Sequence, residues 1–300
     1  METTFWTYAA GVNRWALYAT ALLAVGSALF LLTMRGGSSG RGAALRAGKP
    51  SSIAAGVAFV LAIGLGGADM ITGQVSILFD PDTWAMGFDT TLGRSALVGL
   101  TAAGLLTLGF NAGNRAILLL GSASMIGSFV LTGHAAAIKP VWVMQTMVAI
   151  HMAVAAFWFG ALMPLYQVAR IDPSAQAGAV MVDFSRLAVW SVVLLVGSGA
   201  VMSYIQLRDP AALFTSDYGW RLVAKLCLFG GLLGLAAYNK LRLTPQLAGG
   251  DEQSASALRR SILLEFALFI LILGAAAVLS ASEPPRAVVA LGPKPGVMVA

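Results

Sequence analysis

Hydrophobic positions along this chain are grouped into long apolar runs that are separated by short polar segments. About 20 apolar residues, at a rise of 1.5 Å each, are needed for a helix to span a bilayer. Eight runs meet that length: 14–34, 53–75, 92–110, 116–136, 142–167, 184–206, 220–239 and 261–281. The pattern predicts an all-α fold: a polytopic bundle of about eight transmembrane helices over residues 1–282, followed by a Pro-rich extramembrane tail at 283–300.

The connections between the runs carry helix-breaking residues and most of the charge. Predicted breaks lie at 36–40, Asp80-Pro81, Lys139-Pro140, Asp172-Pro173, Asp209-Pro210 and 247–253. Alternate loops place 11 Lys and Arg residues on one side of the bundle and 7 on the other. Because basic residues concentrate in cytoplasmic loops, this asymmetry predicts that both termini face outward, into a periplasm if the host is Gram-negative.

Composition agrees with a membrane environment. Of the 300 residues, 58% are hydrophobic and only 11% are charged, with a mean hydropathy of +0.81. Soluble domains carry about 25% charged residues, so this chain cannot cover a water-facing globule. The net charge of +6 is dispersed over short loops, which predicts orientation in a membrane and no nucleic-acid partner. Cys227 is the single cysteine, which excludes an intramolecular disulfide and thiolate-rich metal clusters.

The two histidines lie in or beside neighbouring predicted spans. An ionisable side chain inside a span costs a few kcal/mol on insertion scales, so each one needs a reason. Counted at 1.5 Å per residue from Lys139-Pro140, His134 lies roughly 6–8 Å deep and His151 roughly 15–18 Å deep, in the outer half of the bilayer. They could be two stations on one path, or one site if the fourth helix breaks at Gly133. Each could also be an ordinary interhelical hydrogen-bonding residue.

Two methionines precede His151 on the same helical face. Met147 is four residues before it and Met144 is seven before it, and such positions stack along a helix. Imidazole suits copper, zinc and iron, whereas thioether sulfur selects Cu(I). A Met/Met/His stripe facing the bundle would therefore suit a soft monovalent cation, although methionines in lipid-exposed helices are also common packing residues.

Other polar residues of the spans have both functional and structural interpretations. Asp69, with Met70 beside it, could complete a metal site, accept a proton or form an ion pair with Lys225, which we place at a similar depth. Lys225 could instead extend its amino group outward alone. Glu265 lies one turn inside the last span near Arg260, and we interpret it, like Asn239 at an inner helix end, as mainly structural.

Several common motifs are missing from the sequence. There is no Gly-rich Walker A loop, so ATP hydrolysis is not expected, and no Gly-x-Ser-x-Gly motif. We therefore expect that the protein is not an enzyme. Two histidines cannot supply the four ligands of a two-haem cytochrome, but a single bis-histidine haem stays open.

An ordered series of residues across several helices resembles the copper resistance protein D (CopD) family. The resemblance is strongest over the C-terminal half and covers most of the chain. The matching residues are Gly133-His134-Ala135, His151, Phe157 to Leu162, Pro164, Phe184 to Leu187, Gly197, Gly199, Tyr218-Gly219, Leu222, Lys225, Asn239 to Leu243, Pro245, Leu247, Arg260 and Glu265.

This resemblance implies a copper-homeostasis protein of the bacterial inner membrane, with His134 and His151 at the family's histidine positions. Such proteins are thought to move copper from the periplasm inward, together with a periplasmic copper-binding (CopC-like) β-sandwich protein. The short N-terminal segment lacks histidine, so we expect that partner to be a separate polypeptide. The leading hypothesis is a copper permease that does not use ATP, with Met144, Met147, Asp69 or Met70 assisting the histidines. A single-haem electron-transfer protein and a non-transporting copper sensor or docking scaffold are the alternatives, and the oligomeric state is not indicated.

Overall fold

The computed structural model describes residues 5–34, 37–71, 75–132, 140–282 and Pro285. Within those ranges the chain is all-α, without strands. Helices α1 to α5 span Phe5–Thr33, Gly37–Ile71, Pro81–Phe88, Thr91–Ala112 and Arg115–Val130. Helices α6 to α11 span Val141–Ile171, Ser174–Leu207, Ala212–Thr215, Asp217–Tyr238, Thr244–Ala248 and Glu252–Ser280. A 3₁₀ helix covers Val75–Phe79, and a π-helical segment covers Asn239–Leu243.

Every one of the eight predicted spans coincides with an apolar helix. In the described part of the chain, seven helices are long and apolar enough to cross a membrane. The eighth, α5, has 16 residues, which is about 24 Å at 1.5 Å per residue. The predicted span at 116–136 continues into residues 133–139, which lie outside the described ranges. The polytopic all-α bundle is confirmed, and the orientation of its termini stays a prediction.

The bundle is built around α1 and α6, which run side by side in the same direction. A Cβ on Gly26 of α1 would lie 1.8 Å from the carbonyl oxygen of Ala156, and a Cβ on Gly160 would lie 2.3 Å from the Gly26 carbonyl carbon. Glycine at both positions lets the two backbones touch, as is common in helix pairs within lipid. Residues Ala155 to Leu162 of α6 are all buried, so this part of α6 is the centre of the core.

Helices α7 and α9 lie at the periphery. Helix α7 packs mainly against α6, and α9 packs mainly against α11. Large apolar side chains on both helices face outward, among them Trp190 (70% exposed) and Trp220 (58%). In a membrane protein such faces contact lipid. Helices α7 and α9 therefore cover one side of the α6–α11 pair and expose their own outer faces to lipid.

The chain departs from the sequence prediction at three connections. The glycine- and serine-rich segment after Gly36 is not a loop, because α2 begins at Gly37 and continues through Pro50. The acidic segment after the second span forms α3, which begins with an Asp80 cap and Pro81 in its first turn. The predicted break at 247–253 is shorter, since helical structure continues through Pro245 to Ala248. The Pro-rich tail falls outside the described residues except for Pro285.

Candidate metal-binding site between α6 and α7

His151 lies on α6, half-buried, with its ring directed at α7. Its Nδ1 atom is 3.1 Å from Oγ of Ser198. The Ser198 hydroxyl is 2.7 Å from the backbone carbonyl of Leu194, four residues earlier on the same helix. A hydroxyl carries one proton, so with that proton given to the carbonyl its oxygen accepts from Nδ1–H of His151. This tautomer leaves the Nε2 lone pair of His151 available for a ligand.

Thioether sulfur lies on the same α6–α7 contact. Met144 is 1% exposed and packs with Met202 and Ile205 of α7. The antiparallel pairing of Met144 with Met202 and Ile205, and of His151 with Ser198, indicates that the α6 stripe faces α7 along two turns. Half-buried Met147 lies between Met144 and His151 on that stripe. One imidazole and several thioethers form a donor set that suits Cu(I).

Met202 and Ser198 are the members of this arrangement that sequence reasoning did not identify. They are four residues apart on α7 and therefore share a helical face. Neither residue type is distinctive in an apolar helix, and only the register between α6 and α7 brings them to the His151 face. The available signal was the small-residue stretch around Gly199, which lies against His151: a Cβ added at Gly199 would lie 3.4 Å from Cε1 of the His151 ring.

Lys225 on α9 is half-buried and lies close enough to His151 for the two groups to interact electrostatically. The one ion pair in the described residues joins Arg186 and Asp183, so the predicted Asp69–Lys225 pair is not formed. Lys225 thus stands near the candidate metal ligands without a carboxylate partner among the described residues.

Asp69 and Met70 are far from His151. The Thr7 hydroxyl donates to Asp69 at 2.8 Å, so Asp69 lies beside the beginning of α1. Gly26, 19 residues further along α1, contacts Ala156, only five residues beyond His151. Because α1 and α6 run in parallel, Asp69 is displaced from His151 by about 20 Å along the bundle axis. Met70 is 58% exposed on the same end of α2, so the structure does not bring either residue to the α6–α7 site.

Glu265 forms a second polar cluster and does not pair with Arg260. Its carboxyl accepts from Asn239 Nδ2 at 2.5 Å and from Trp158 Nε1 at 3.3 Å, and it is 4% exposed. Asn239 is the first residue of the π-helical segment, a feature that the sequence pattern did not predict. The expected proximity to Arg260 reflects spacing along α11, whereas the packing of α6 and α9 supplies the actual partners.

His134 lies in 133–139, outside the described residues, so its distance from His151 stays a prediction. Across the described ranges, no group of three or more His, Cys, Asp or Glu side chains could hold a metal ion. A metal site here would therefore rest on His151 with thioether ligands.

The fold and this contact define a class: a multi-pass α-helical membrane protein with a histidine–methionine stripe between two of its helices. Two family models match the chain, "Copper resistance protein D" over residues 178–279 and "Copper resistance protein D-like, N-terminal domain" over residues 3–141. The chain belongs to the copper resistance protein D (CopD) family. Ser198, Lys225 and Glu265 lie in the first matched range and His134 lies in the second, while His151 falls between them.

A curated relative supports the same family over nearly the whole chain. The chain is 28% identical over 303 residues to Copper resistance protein D of Pseudomonas syringae pv. tomato, covering 90% of this chain and 95% of that protein. No solved structure matches the chain.

Proposed function

We propose that this protein is a copper permease of the bacterial inner membrane that moves copper inward without ATP. The observation that carries the proposal is the His151–Ser198 contact, which fixes the imidazole and leaves Nε2 free beside a methionine stripe. Membership in a copper resistance family supports copper as the transported ion. His134 would be the first, outer station and His151 the deeper one.

The donor set suits passage more than storage. A conducting site must bind strongly enough to admit an ion and weakly enough to release it. One imidazole with neutral thioethers carries no negative charge, and the charged side chain that acts on His151 is the cationic Lys225, which disfavours tight retention of a cation. Asp69 and Met70 are left out of this proposal because of their distance along the axis. A separate periplasmic copper-binding protein remains the partner that we expect to deliver the ion.

Uptake of radiolabelled copper into proteoliposomes tests the proposal. We expect His151→Ala to reduce the flux sharply, since it removes the imidazole ligand of the deeper station. The control is Gln145→Ala, a polar-to-Ala change on α6 one residue from Met144, which should keep its flux. Equal flux in wild type and His151→Ala would contradict the proposed path.

Metal analysis and spectroscopy of the same preparations separate the alternatives. Copper bound by wild type, lost in the double histidine variant and accompanied by flux, supports the permease. Copper binding without flux would point instead to a sensor or docking scaffold. A Soret band in the visible spectrum would identify the haem-binding alternative and refute a copper site at these histidines.

A further inference from the structure

Glu265 is the most deeply buried acidic side chain in the described residues, and it has no counter-cation there. It is 4% exposed, and the described ion pair lies elsewhere, between Arg186 and Asp183. An isolated carboxylate in a low-dielectric interior costs several kcal/mol, and buried charges are normally paired or neutralised. Two neutral donors, Asn239 and Trp158, do not supply a positive charge. Glu265 is therefore expected either to bind a cation or to be neutralised by a proton.

The cluster is also short of one hydrogen-bond donor. Oδ1 of Asn239 is buried and has no hydrogen-bond partner within the part of the chain that the structure describes, and Asn239 itself is 8% exposed. The three buried oxygens, two of Glu265 and one of Asn239, share only two N–H donors. Buried acceptors are almost always satisfied, so one donor is missing. A proton on Glu265 removes the charge and turns one carboxyl oxygen into a hydrogen-bond donor, the kind of group that this cluster is short of.

A cavity lies directly beside the cluster and leaves room for a bound water or ion. The cavity has a volume of about 280 Å³ and lies between α6, α7, α9 and α11, with Glu265 and Asn239 in its wall. Its remaining lining is mostly apolar, apart from Ser185, Lys240 and Thr244. That volume exceeds the share of several waters in the liquid, about 30 Å³ each. π-Helical segments such as the one beginning at Asn239 are frequent at functional sites.

The charged groups around Glu265 are few. Helix α6 presents Trp158, α7 presents Ser185, α10 presents Thr244 and α9 presents only apolar residues at this cavity, none of them charged at neutral pH. On α11 itself, the exposed Arg260 lies five residues before Glu265 and forms no ion pair with it. The π-helical segment presents Lys240, which is exposed at the cavity wall. On α1 the Tyr18 hydroxyl contacts Ser280, which lies 15 residues from Glu265, about 22 Å along α11.

This cluster lies on the same face of α6 as the candidate copper ligand. Trp158 follows His151 by seven residues, two helical turns, so the two side chains stack about 10 Å apart along α6. We propose that Glu265, with Asn239 and Trp158, is a proton-binding site, and that its proton is the coupling ion for copper passing His151. The first part stands on the cluster itself, whereas the coupling rests on the proposed permease function.

Infrared difference spectroscopy of the purified, copper-free protein tests proton binding directly. In wild type we expect a carbonyl stretch of a protonated carboxylic acid that disappears as the pH is raised. Glu265→Gln should lack this band while keeping the shape of the side chain. The control Glu252→Gln changes an exposed glutamate in the first turn of the same helix and should retain the band. Identical spectra for wild type and Glu265→Gln would overturn the proton site, as would a sodium or divalent-cation affinity that Glu265→Gln abolishes.

Copper flux under an imposed pH gradient tests the coupling separately. If one proton is exchanged for each copper ion, the accumulation ratio should change about tenfold per pH unit in wild type. In Glu265→Gln the flux should persist but lose its dependence on the gradient. The same gradient dependence in both proteins would refute the coupling. An absence of copper flux in wild type would refute the permease while leaving the infrared result on proton binding intact.

Discussion

Replacing Ser198 by alanine should weaken copper binding without changing any metal ligand. The substitution removes one oxygen, which accepts from Nδ1 of His151 at 3.1 Å. Ser198 is 3% exposed, so water has little room to take its place. The His151 ring would lose the side-chain acceptor that orients it, while its backbone partner on α7, Leu195, would remain.

The size of the effect follows from the role of such partners. Removing a group that orients a ligating histidine typically lowers metal affinity 10–100-fold. Losing one hydrogen bond costs about 0.5–1.5 kcal/mol, and a buried donor without an acceptor costs about 1–3 kcal/mol, values that overlap that range. We therefore expect the Kd for Cu(I) of Ser198→Ala to rise about 10–100-fold, equivalent to about 1.4–2.8 kcal/mol.

The measurement is a competition titration of the purified protein against a chromophoric Cu(I) chelator. Ser191 provides a matched control two turns earlier on α7. Its hydroxyl donates to the carbonyl of Leu187 at 3.0 Å, as Ser198 does to that of Leu194, and it is also buried. In the described ranges Ser191 contacts no histidine, so Ser191→Ala should bind copper like wild type. Equal Kd values for Ser198→Ala, Ser191→Ala and wild type would refute the assigned tautomer and the ligand role of Nε2.

Two further substitutions test the methionine stripe and the helix contact. Met144→Leu conserves volume in a fully buried position, so the fold should tolerate it at a cost below about 1.5 kcal/mol, while the Cu(I) affinity in the same titration should fall. The control Met152→Leu, off the stripe, should leave the affinity unchanged. Equal Cu(I) affinities for Met144→Leu and wild type would remove Met144 from the site. Gly160→Leu drives a side chain into the α1 backbone and should destabilise the bundle by at least 1–3 kcal/mol, measured as a lower thermal midpoint in detergent. The control is Gly104→Leu, at a position where a Cβ meets nothing within 4 Å, and it should have the thermal midpoint of wild type. An unchanged midpoint for Gly160→Leu would contradict the close α1–α6 contact.

Hydropathy was sufficient to predict the spans because lipid forces every backbone polar group into a helix. The same physics explains where the prediction of loops was wrong. Helix-breaking residues such as Gly40 and Pro50 do not end α2, since packing and the lack of competing backbone partners outweigh their low propensity. Helix α3 was missed because its eight residues are too short for the span criterion, although the Asp80-Pro81 start signal was present in the sequence.

The candidate site was only partly predictable because it depends on the register between helices. The Met144–His151 stripe follows from spacing within one helix, and that spacing was visible in the sequence. Its pairing with Ser198 and Met202 requires the offset of α7 against α6, which hydropathy does not contain. Depth estimates failed for the Asp69–Lys225 pair for a related reason: the distance of Asp69 from the core is set by the α1–α2 packing rather than by the end of an apolar run.

The positions of the two polar clusters relative to the core constrain how an ion could pass between them. His151 lies just before, and Trp158 within, the stretch of α6 from Ala155 to Leu162 in which every residue is buried. An ion that moves between the two clusters must give up its ligands and pass along a closely packed, apolar surface, and this loss of coordination is unfavourable if the bundle stays rigid. Helices α7 and α9, which have fewer buried residues, line the other side of that route. The elements that move in proteins are usually those with few buried contacts, so displacement of α7 or α9 is the physically easiest way to open the route. The His151–Ser198 contact joins α6 to the movable α7, so the hydrogen bond that orients the ligand would also be the contact that such a displacement breaks.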